Sequence, residues 1–397
     1  MILTDEMRAF IRQHSGDEPE KLLLDASRYR GIDVPLAATQ IAARRQIRTK
    51  LPQWFDDDRL IFPSRLAAEQ CSSEKTALYK QRLLDAADET LTDLTGGLGV
   101  DSYYFSQKIS KVHYIERSED YCEAARYNFA ELHADIEVTC GDATQMLPSL
   151  QSDVMYIDPA RRADGDRRVY ALSDCEPDLT LLLPEMLRHT KKVIAKLSPM
   201  ADISHTLELL PGTVAVHVLS VRNECKELLF VIQSPSASDP VIHCVNFTTE
   251  NGEQYFSFHP DEEQQAEIHL ADEVRSFLYE PSSSLLKAGA FKSLCQKYPI
   301  EKLAVSSHLY TSINRCSDFP GRIFCVHEVI PFNRQCRTLS RTIPQANIAV
   351  RNFPLSVSEL RRRTGIADGG DVYLFATTLS NGAKVIVKCG KSEKKSL

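Results

Sequence analysis

A short apolar run that breaks on three closely spaced glycines, Leu91-Thr92-Asp93-Leu94-Thr95-Gly96-Gly97-Leu98-Gly99-Val100-Asp101, constrains this chain more than any other segment. It reads as a buried strand, a tight turn and a helix that begins near Asp101. Glycine has no Cβ, so such a turn can bring backbone N–H groups close to a ligand. The helix behind it favours a carboxylate or a phosphate at its N-terminus. The fold this implies is α/β, with a ligand at the carboxyl ends of the strands.

The segments that follow extend the sheet. Lys111 to Ile115 reads as a second strand ending in Glu116, at the position where a carboxylate can grip a ribose diol. Ser118 to Leu132 has Tyr121, Ala124, Ala125, Asn128, Phe129 and Leu132 at helical spacing. Ile136 to Cys140 is a third strand, followed by Gly141-Asp142-Ala143. Asp153 to Ile157 is a fourth, running into Asp158-Pro159-Ala160-Arg161-Arg162, and Val193 to Leu197 a fifth. Val214 to Ser220 and Glu227 to Gln233 are joined by six residues only, too few for a crossover helix, so they should form an antiparallel hairpin.

Nicotinamide and flavin dinucleotide sites use Gly-x-Gly-x-x-Gly after the first strand, and here Ser102 occupies the third glycine position. Asp93-x-x-Gly-Gly-x-Gly-x-Asp instead resembles the first motif of class I S-adenosylmethionine-dependent methyltransferases. A mainly parallel sheet ending in a hairpin is also theirs. The resemblance implies S-adenosylmethionine as cofactor, held by Asp93, Thr95, Gly96, Gly97, Gly99 and Asp101. Glu116 would bind the ribose and Asp142 the adenine amino group. Taken singly, Glu116 and Asp142 are equally good capping or turn residues. The segment Glu69-Gln70-Cys71-Ser72-Ser73-Glu74 precedes a helix expected over Lys75 to Ala87. By the same resemblance it folds over the methionine end of the cofactor, which adds Gln70, Ser73 and Lys80. Read from the residues alone, Ser72 or Ser73 is an N-cap.

Asp158-Pro159-Ala160-Arg161 bears on the chemistry. It resembles the Asn/Asp/Ser-Pro-Pro-aromatic tetrad of methyltransferases that act on exocyclic amines of bases. It also resembles the Asp-Pro-Pro-Arg of some ribosomal RNA guanine methyltransferases. The resemblance implies that Asp158 and the Pro159 carbonyl accept hydrogen bonds from the amine and so orient its lone pair. Ala160 replaces the second proline, and Arg161 stands where an aromatic ring would stack. Arg161 either stacks or clamps a phosphate, or with Arg162 pairs with Asp164 and Asp166.

Composition sets the wider frame. The 397 residues, 43% apolar and 25% charged, suit a soluble protein of two to four domains. No run approaches the roughly 20 apolar residues of a membrane span. Eleven scattered cysteines without a Cys-x-x-Cys pair argue for reduced thiols in a cytoplasm and for no metal site. Net charge is −7, yet Pro331 to Leu397 holds 12 Lys and Arg against 4 Asp and Glu. That basic module, with Arg334, Arg337, Arg341, Arg351, Arg361, Arg362, Arg363, Lys384 and Lys388 and a Lys391–Lys395 tail, suits a polyanion.

Four regions are expected: helices over 1–75, with a basic strip of Arg44, Arg45, Arg48 and Lys50; the methyltransferase domain over 76–235; an α+β region over 240–330 with a helix near Leu285 to Tyr298; and a basic β-rich region over 331–397. Ser234 to Pro240 reads as a linker. Glu280-Pro281, Lys287-Ala288-Gly289-Ala290 and His308-Leu309-Tyr310-Thr311 resemble the ferredoxin-like insert of the THUMP-like-domain methyltransferases. Val350-Arg351-Asn352-Phe353-Pro354-Leu355, Leu360-Arg361-Arg362 and Gly369-Gly370 resemble their C-terminal domain. The family implies RNA, ribosomal or transfer, as partner and a base as acceptor. Two alternatives stand beside it: a cofactor-sensing RNA-binding protein without catalysis, and a methyltransferase acting on a protein or small molecule.

Overall fold

The computed structural model describes residues 3–161, 172–234, 239–249 and 252–392. The chain folds as two compact units, Met1–Ala215 with Leu228–Ser238, and Val216–Glu227 with Asp239–Leu397.

In the first unit, strands β1 (Thr90–Asp93), β2 (Lys111–Glu116), β3 (Ile136–Cys140), β4 (Val154–Ile157) and β5 (Lys192–Leu197) are parallel, in the order β5-β4-β1-β2-β3. All four residues of β4 are buried, as expected of a central parallel strand covered on both faces. The hairpin anticipated from the short connection is β6 (Thr213–Val221) and β7 (Glu224–Gln233), and β7 runs antiparallel to β5.

The N-terminal helices belong to this unit. Helix α1 (Val34–Ile47) starts on Asp33, whose carboxylate accepts from Leu36 N, with Pro35 in the first turn. Its Ala43 and Ile47 pack with Trp54, Leu60 and Phe62 against Leu98, Val100 and Tyr104, beside the glycine turn. Buried Asn128 accepts from Ile61 N and donates to Ile61 O, both at 2.8 Å. Two members of the basic strip bind backbone carbonyls of the same region. Arg44, 8% exposed, donates to the carbonyls of Phe55, Asp57 and Leu60, and Arg45 to those of Ser15 and Asp17.

The helix expected over Lys75 to Ala87 is shorter: α2 spans Glu74–Lys80 and passes into a single 3₁₀ turn. Asp88 accepts from Asp85 N at 2.7 Å, and both carboxylates receive the Lys192 ammonium, at 2.6 and 2.7 Å. These side-chain bonds outcompete further helical turns.

The second unit contains an antiparallel pair, β8 (Val241–Phe247) and β9 (Glu253–Phe258). It also has a seven-stranded sheet of β10 (Phe277–Pro281), β11 (Glu301–Lys302), β12 (Tyr310–Ser312), β13 (Gly321–Pro331), β14 (Gln345–Arg351), β15 (Ala367–Thr378) and β16 (Lys384–Lys391). Their order is β11-β12-β10-β13-β16-β15-β14. Strand β13 pairs with β10 on one side and β16 on the other, so residues before and after 331 share one sheet. The helix expected near Leu285 to Tyr298 is two, Ser283–Ala288 and Ser293–Lys297. Gly289 at φ +77° ends the first in a left-handed cap. Ser356 caps the helix Val357–Thr364 through a capping box with Glu359, and β15 and β16 close around Asn381-Gly382.

No helix among the described residues is long and apolar enough to cross a membrane, and the eleven cysteines are free thiols. Residues 235–238 of the anticipated linker, Arg162, Asp164 and Asp166, and Lys394 and Lys395 of the tail lie outside the described residues.

Candidate functional site

The glycine turn lies at the carboxyl end of β1 and is held from below by its neighbours. Register places Asp93 beside Tyr114 on β2 and Tyr156 on β4. The Tyr114 hydroxyl donates to Gly97 O at 2.7 Å, and Gly96 N donates to Ile115 O at 2.9 Å. Packing alone requires glycine at two of these positions. A Cβ on Gly96 would sit 2.1 Å from the buried Tyr114 ring, and one on Gly99 would sit 2.6 Å from Phe129. Gly99 also takes φ +81° where it caps helix α3 (Val100–Ser106). Gly97 differs: at φ +53° its Cβ would meet nothing nearer than Thr95 O at 3.7 Å. This is the open, Cβ-free stretch that backbone approach to a cofactor requires.

Asp93 is 1% exposed and accepts from Thr95 N at 3.0 Å and from the Ser102 hydroxyl at 2.6 Å. Burial pushes its carboxyl up to about 7, against the pull of those donors. Asp93 therefore shapes the turn from inside. Ser102, at the position that sets this motif apart from the dinucleotide fingerprint, is its partner.

Asp101, in the first turn of α3, also faces inward. It accepts from the Lys80 ammonium at 2.9 Å, the Ser72 hydroxyl at 2.7 Å and the Tyr156 hydroxyl at 2.8 Å. Burial works to raise its carboxyl, but the charges of Lys80 and Lys196 and the bonds from Lys80 and Ser72 leave it below the usual carboxylate range. Lys80 is fully buried and donates to Ser72 as well, at 2.7 Å. Ser73 is the N-cap of α2, accepting from Thr76 N, while Gln70 ends the preceding helix and is exposed. The segment before β1 thus reaches the glycine turn through Ser72 and Lys80.

Glu116, at the tip of β2, accepts from Gly97 N at 3.0 Å and from Ser118 N at 2.8 Å. It ties the turn to the next helix, and each carboxylate oxygen keeps lone-pair capacity for a diol. Asp142 caps its own short helix, accepting from Thr144 N at 2.9 Å and its hydroxyl at 2.7 Å. The side-chain bond to Thr144 is the main reason its carboxyl lies below the usual range.

Asp158 follows β4 directly, and its N–H donates to the Thr95 hydroxyl at 2.6 Å, joining the ends of β1 and β4. Its carboxylate forms an ion pair with Lys196 of β5. Sequence reading missed Lys196, yet the register carries it: Ile157 pairs with Ala195, so the next residue on each strand is Asp158 and Lys196. Pro159 is buried. Ala160–Arg161 forms a two-residue antiparallel pair with Cys175–Glu176, and the Arg161 side chain is outside the described set. The set that fits a nucleoside-bearing sulfonium cofactor is therefore the open Gly97 edge, the Glu116 carboxylate and the exposed Asp142 loop, with Asp158 at the neighbouring strand end.

Comparison with known proteins places the chain as a whole. Residues 277–320 match the model of a ferredoxin-like domain and residues 321–391 that of a THUMP-like domain. A crystal structure from Porphyromonas gingivalis W83, of a protein assigned as a methyltransferase, is 38% identical. It aligns over 99% of this chain and 100% of its own, with a TM-score of 0.88. An uncharacterized RNA methyltransferase of Clostridium tetani is 29% identical over 97 residues, 23% of this chain. The match spans about a fifth (21%) of the length of that curated relative.

Proposed function

This chain belongs to the family of class I S-adenosylmethionine-dependent methyltransferases that carry ferredoxin-like and THUMP-like domains, and from that premise we propose that it methylates a base of RNA at an exocyclic amine. The observation that carries the acceptor chemistry is the fixing of Asp158 at three points: its place after β4, its N–H on Thr95, and its carboxylate on Lys196. Lys196 engages Oδ2, which leaves Oδ1, with the Pro159 carbonyl, to accept the amine protons. Two acceptors on one –NH₂ group turn its lone pair toward the methyl donor, a gain made by orientation. Bound S-adenosylmethionine supplies an electrophilic methyl group on sulfonium, and the proton the amine gives up passes to solvent. Gly97, Glu116 and Asp142 would hold the cofactor, with Asp93, Thr95, Gly96, Gly99, Asp101, Lys80 and Ser72 keeping the turn in shape. Gln70 and Ser73 would flank its methionine end.

RNA as the acceptor is supported by the THUMP-like domain, by the naming of the Clostridium tetani relative and by the basic C-terminal region. The test is methyl transfer from labelled S-adenosylmethionine into total RNA of a deletion strain, with parent and Asp158→Ala enzymes. Parent enzyme should label RNA, and Asp158→Ala should lose at least about 100-fold in rate, the scale of a lost orienting contact. Its S-adenosylhomocysteine affinity should stay within about threefold. An Asp158→Ala enzyme of full activity would refute the assigned role. Labelling of protein in place of RNA would refute the acceptor.

A further inference from the structure

Six of the nine basic candidates of the C-terminal region fall into two groups by their surroundings. Arg351 is engaged by buried Glu280, which also takes Arg322. Arg361 is paired with Asp368 and donates to the carbonyls of Ala346 and Ile366. Lys388 faces Glu328 at 4.0 Å. These three serve the sheet.

A second group converges on a cavity of about 310 Å³ lined by Arg337, Leu355, Glu359, Arg362 and Arg363. Arg337 comes from the 3₁₀ segment Arg334–Arg341, and Arg362 and Arg363 from the last turn of the helix Val357–Thr364. All three arginines are exposed. The one acid in the lining, Glu359, accepts from Ser356 N at 2.8 Å and from its hydroxyl at 2.7 Å through Oε2, and its charge also acts on Arg362. The Arg363 guanidinium lies over the Phe332 ring at 4.8 Å. Buried Cys336 and Leu360 anchor the two segments from beneath.

Three guanidiniums against one engaged carboxylate make an anion site, and its concavity and apolar Leu355 wall add room for an uncharged group. The volume lies at the small end for ligand sites, about 300 Å³ and upward. It suits one nucleotide, not the surface of a duplex. Resting on the reading of this chain as an RNA methyltransferase, we propose that this cavity docks a single unpaired nucleotide of the RNA. Its phosphate sits between Arg337 and Arg362, and its base or ribose lies against Leu355 and the Arg363 plane. Guanidinium forks match phosphate oxygens in pairs, and arginine planes stack on bases.

The full-length protein would be titrated with a fluorescein-labelled 20-nucleotide single-stranded RNA of mixed sequence, and with the same strand annealed to its complement, from 50 to 300 mM salt. Parent protein should prefer the single strand. Arg337→Ala/Arg362→Ala should bind it at least tenfold more weakly. Its log–log salt slope should be smaller by about 0.7, the change for one lost single-strand phosphate contact. Adenosine 5′-monophosphate should displace the labelled strand from parent protein at concentrations where adenosine does not. A thermal midpoint within a few degrees of the parent excludes misfolding as the cause. A folded double variant with parental affinity and slope overturns the cavity assignment while the RNA reading stands. A parent protein that binds neither strand overturns the RNA reading itself.

Discussion

Replacing Lys80 by Met tests how the glycine turn is held. Lys80 is fully buried and its Nζ lies 2.9 Å from Asp101 Oδ1. At an effective dielectric constant of 20 that separation corresponds to about 6 kcal/mol of attraction, much of it offset by the desolvation of both charges. The net worth of the pair is therefore modest, but breaking one side leaves a buried carboxylate without its counter-ion, which costs about 3–5 kcal/mol. Ser72 and Tyr156 still donate to Asp101, so Lys80→Met should fall at the lower end, about 3 kcal/mol.

The pH dependence carries the sign. In the parent protein the Asp101 carboxyl lies below its ordinary value of 3.8. Its contribution is thus fully present above that value and fades as pH falls through the folded-state value. In the variant, burial acts on Asp101 without Lys80, the carboxyl titrates higher, and proton uptake relieves the unpaired charge. The gap between parent and variant should be widest near pH 8 and narrow toward pH 5. Urea unfolding at four pH values measures it, and Lys80→Met/Asp101→Asn should recover at least half of the loss at pH 8. A Lys80→Met protein within about 1 kcal/mol of the parent at pH 8, or a pH-independent loss, would refute the reasoning.

Asp93 should act with the opposite sign and in another window. Its carboxyl rises to about 7 in the folded protein, so stability falls as pH climbs from about 4 to 7, where only the unfolded chain has lost the proton. Asp93→Asn should flatten that decline by about 2–4 kcal/mol in urea unfolding across the range, and an unchanged slope would count against the burial argument. Gly99→Ala places a Cβ 2.6 Å from Phe129 on a backbone at φ +81°. It should cost about 2–4 kcal/mol, combining left-handed strain with overpacking, and should weaken S-adenosylhomocysteine binding in calorimetry. A Gly99→Ala protein as stable as the parent would show that the turn can relax.

What the amino-acid sequence determined by itself was local and periodic. Short apolar runs ended by turn residues announce β1 to β5, and the length of the β6–β7 connection compels a hairpin. Such features depend on neighbours in the chain, so they can be read along it. The order Asp93, Glu116, Asp142, Asp158 at successive strand ends is legible for the same reason. The tertiary structure alone decided what each polar group faces. Asp101 and Lys80, which the family resemblance places near the cofactor, are also one another's buried partners. At Gly96 and Gly99 the missing Cβ is also room for Tyr114 and Phe129. Arg337 and Arg362 are separated from Arg351 and Arg361 only by where Glu280 and Asp368 lie. A charge is committed or available according to partners that lie from 7 to 71 residues away in these pairs and are brought together by packing, and hydrogen bonds and ion pairs fall off too steeply for sequence spacing to report them.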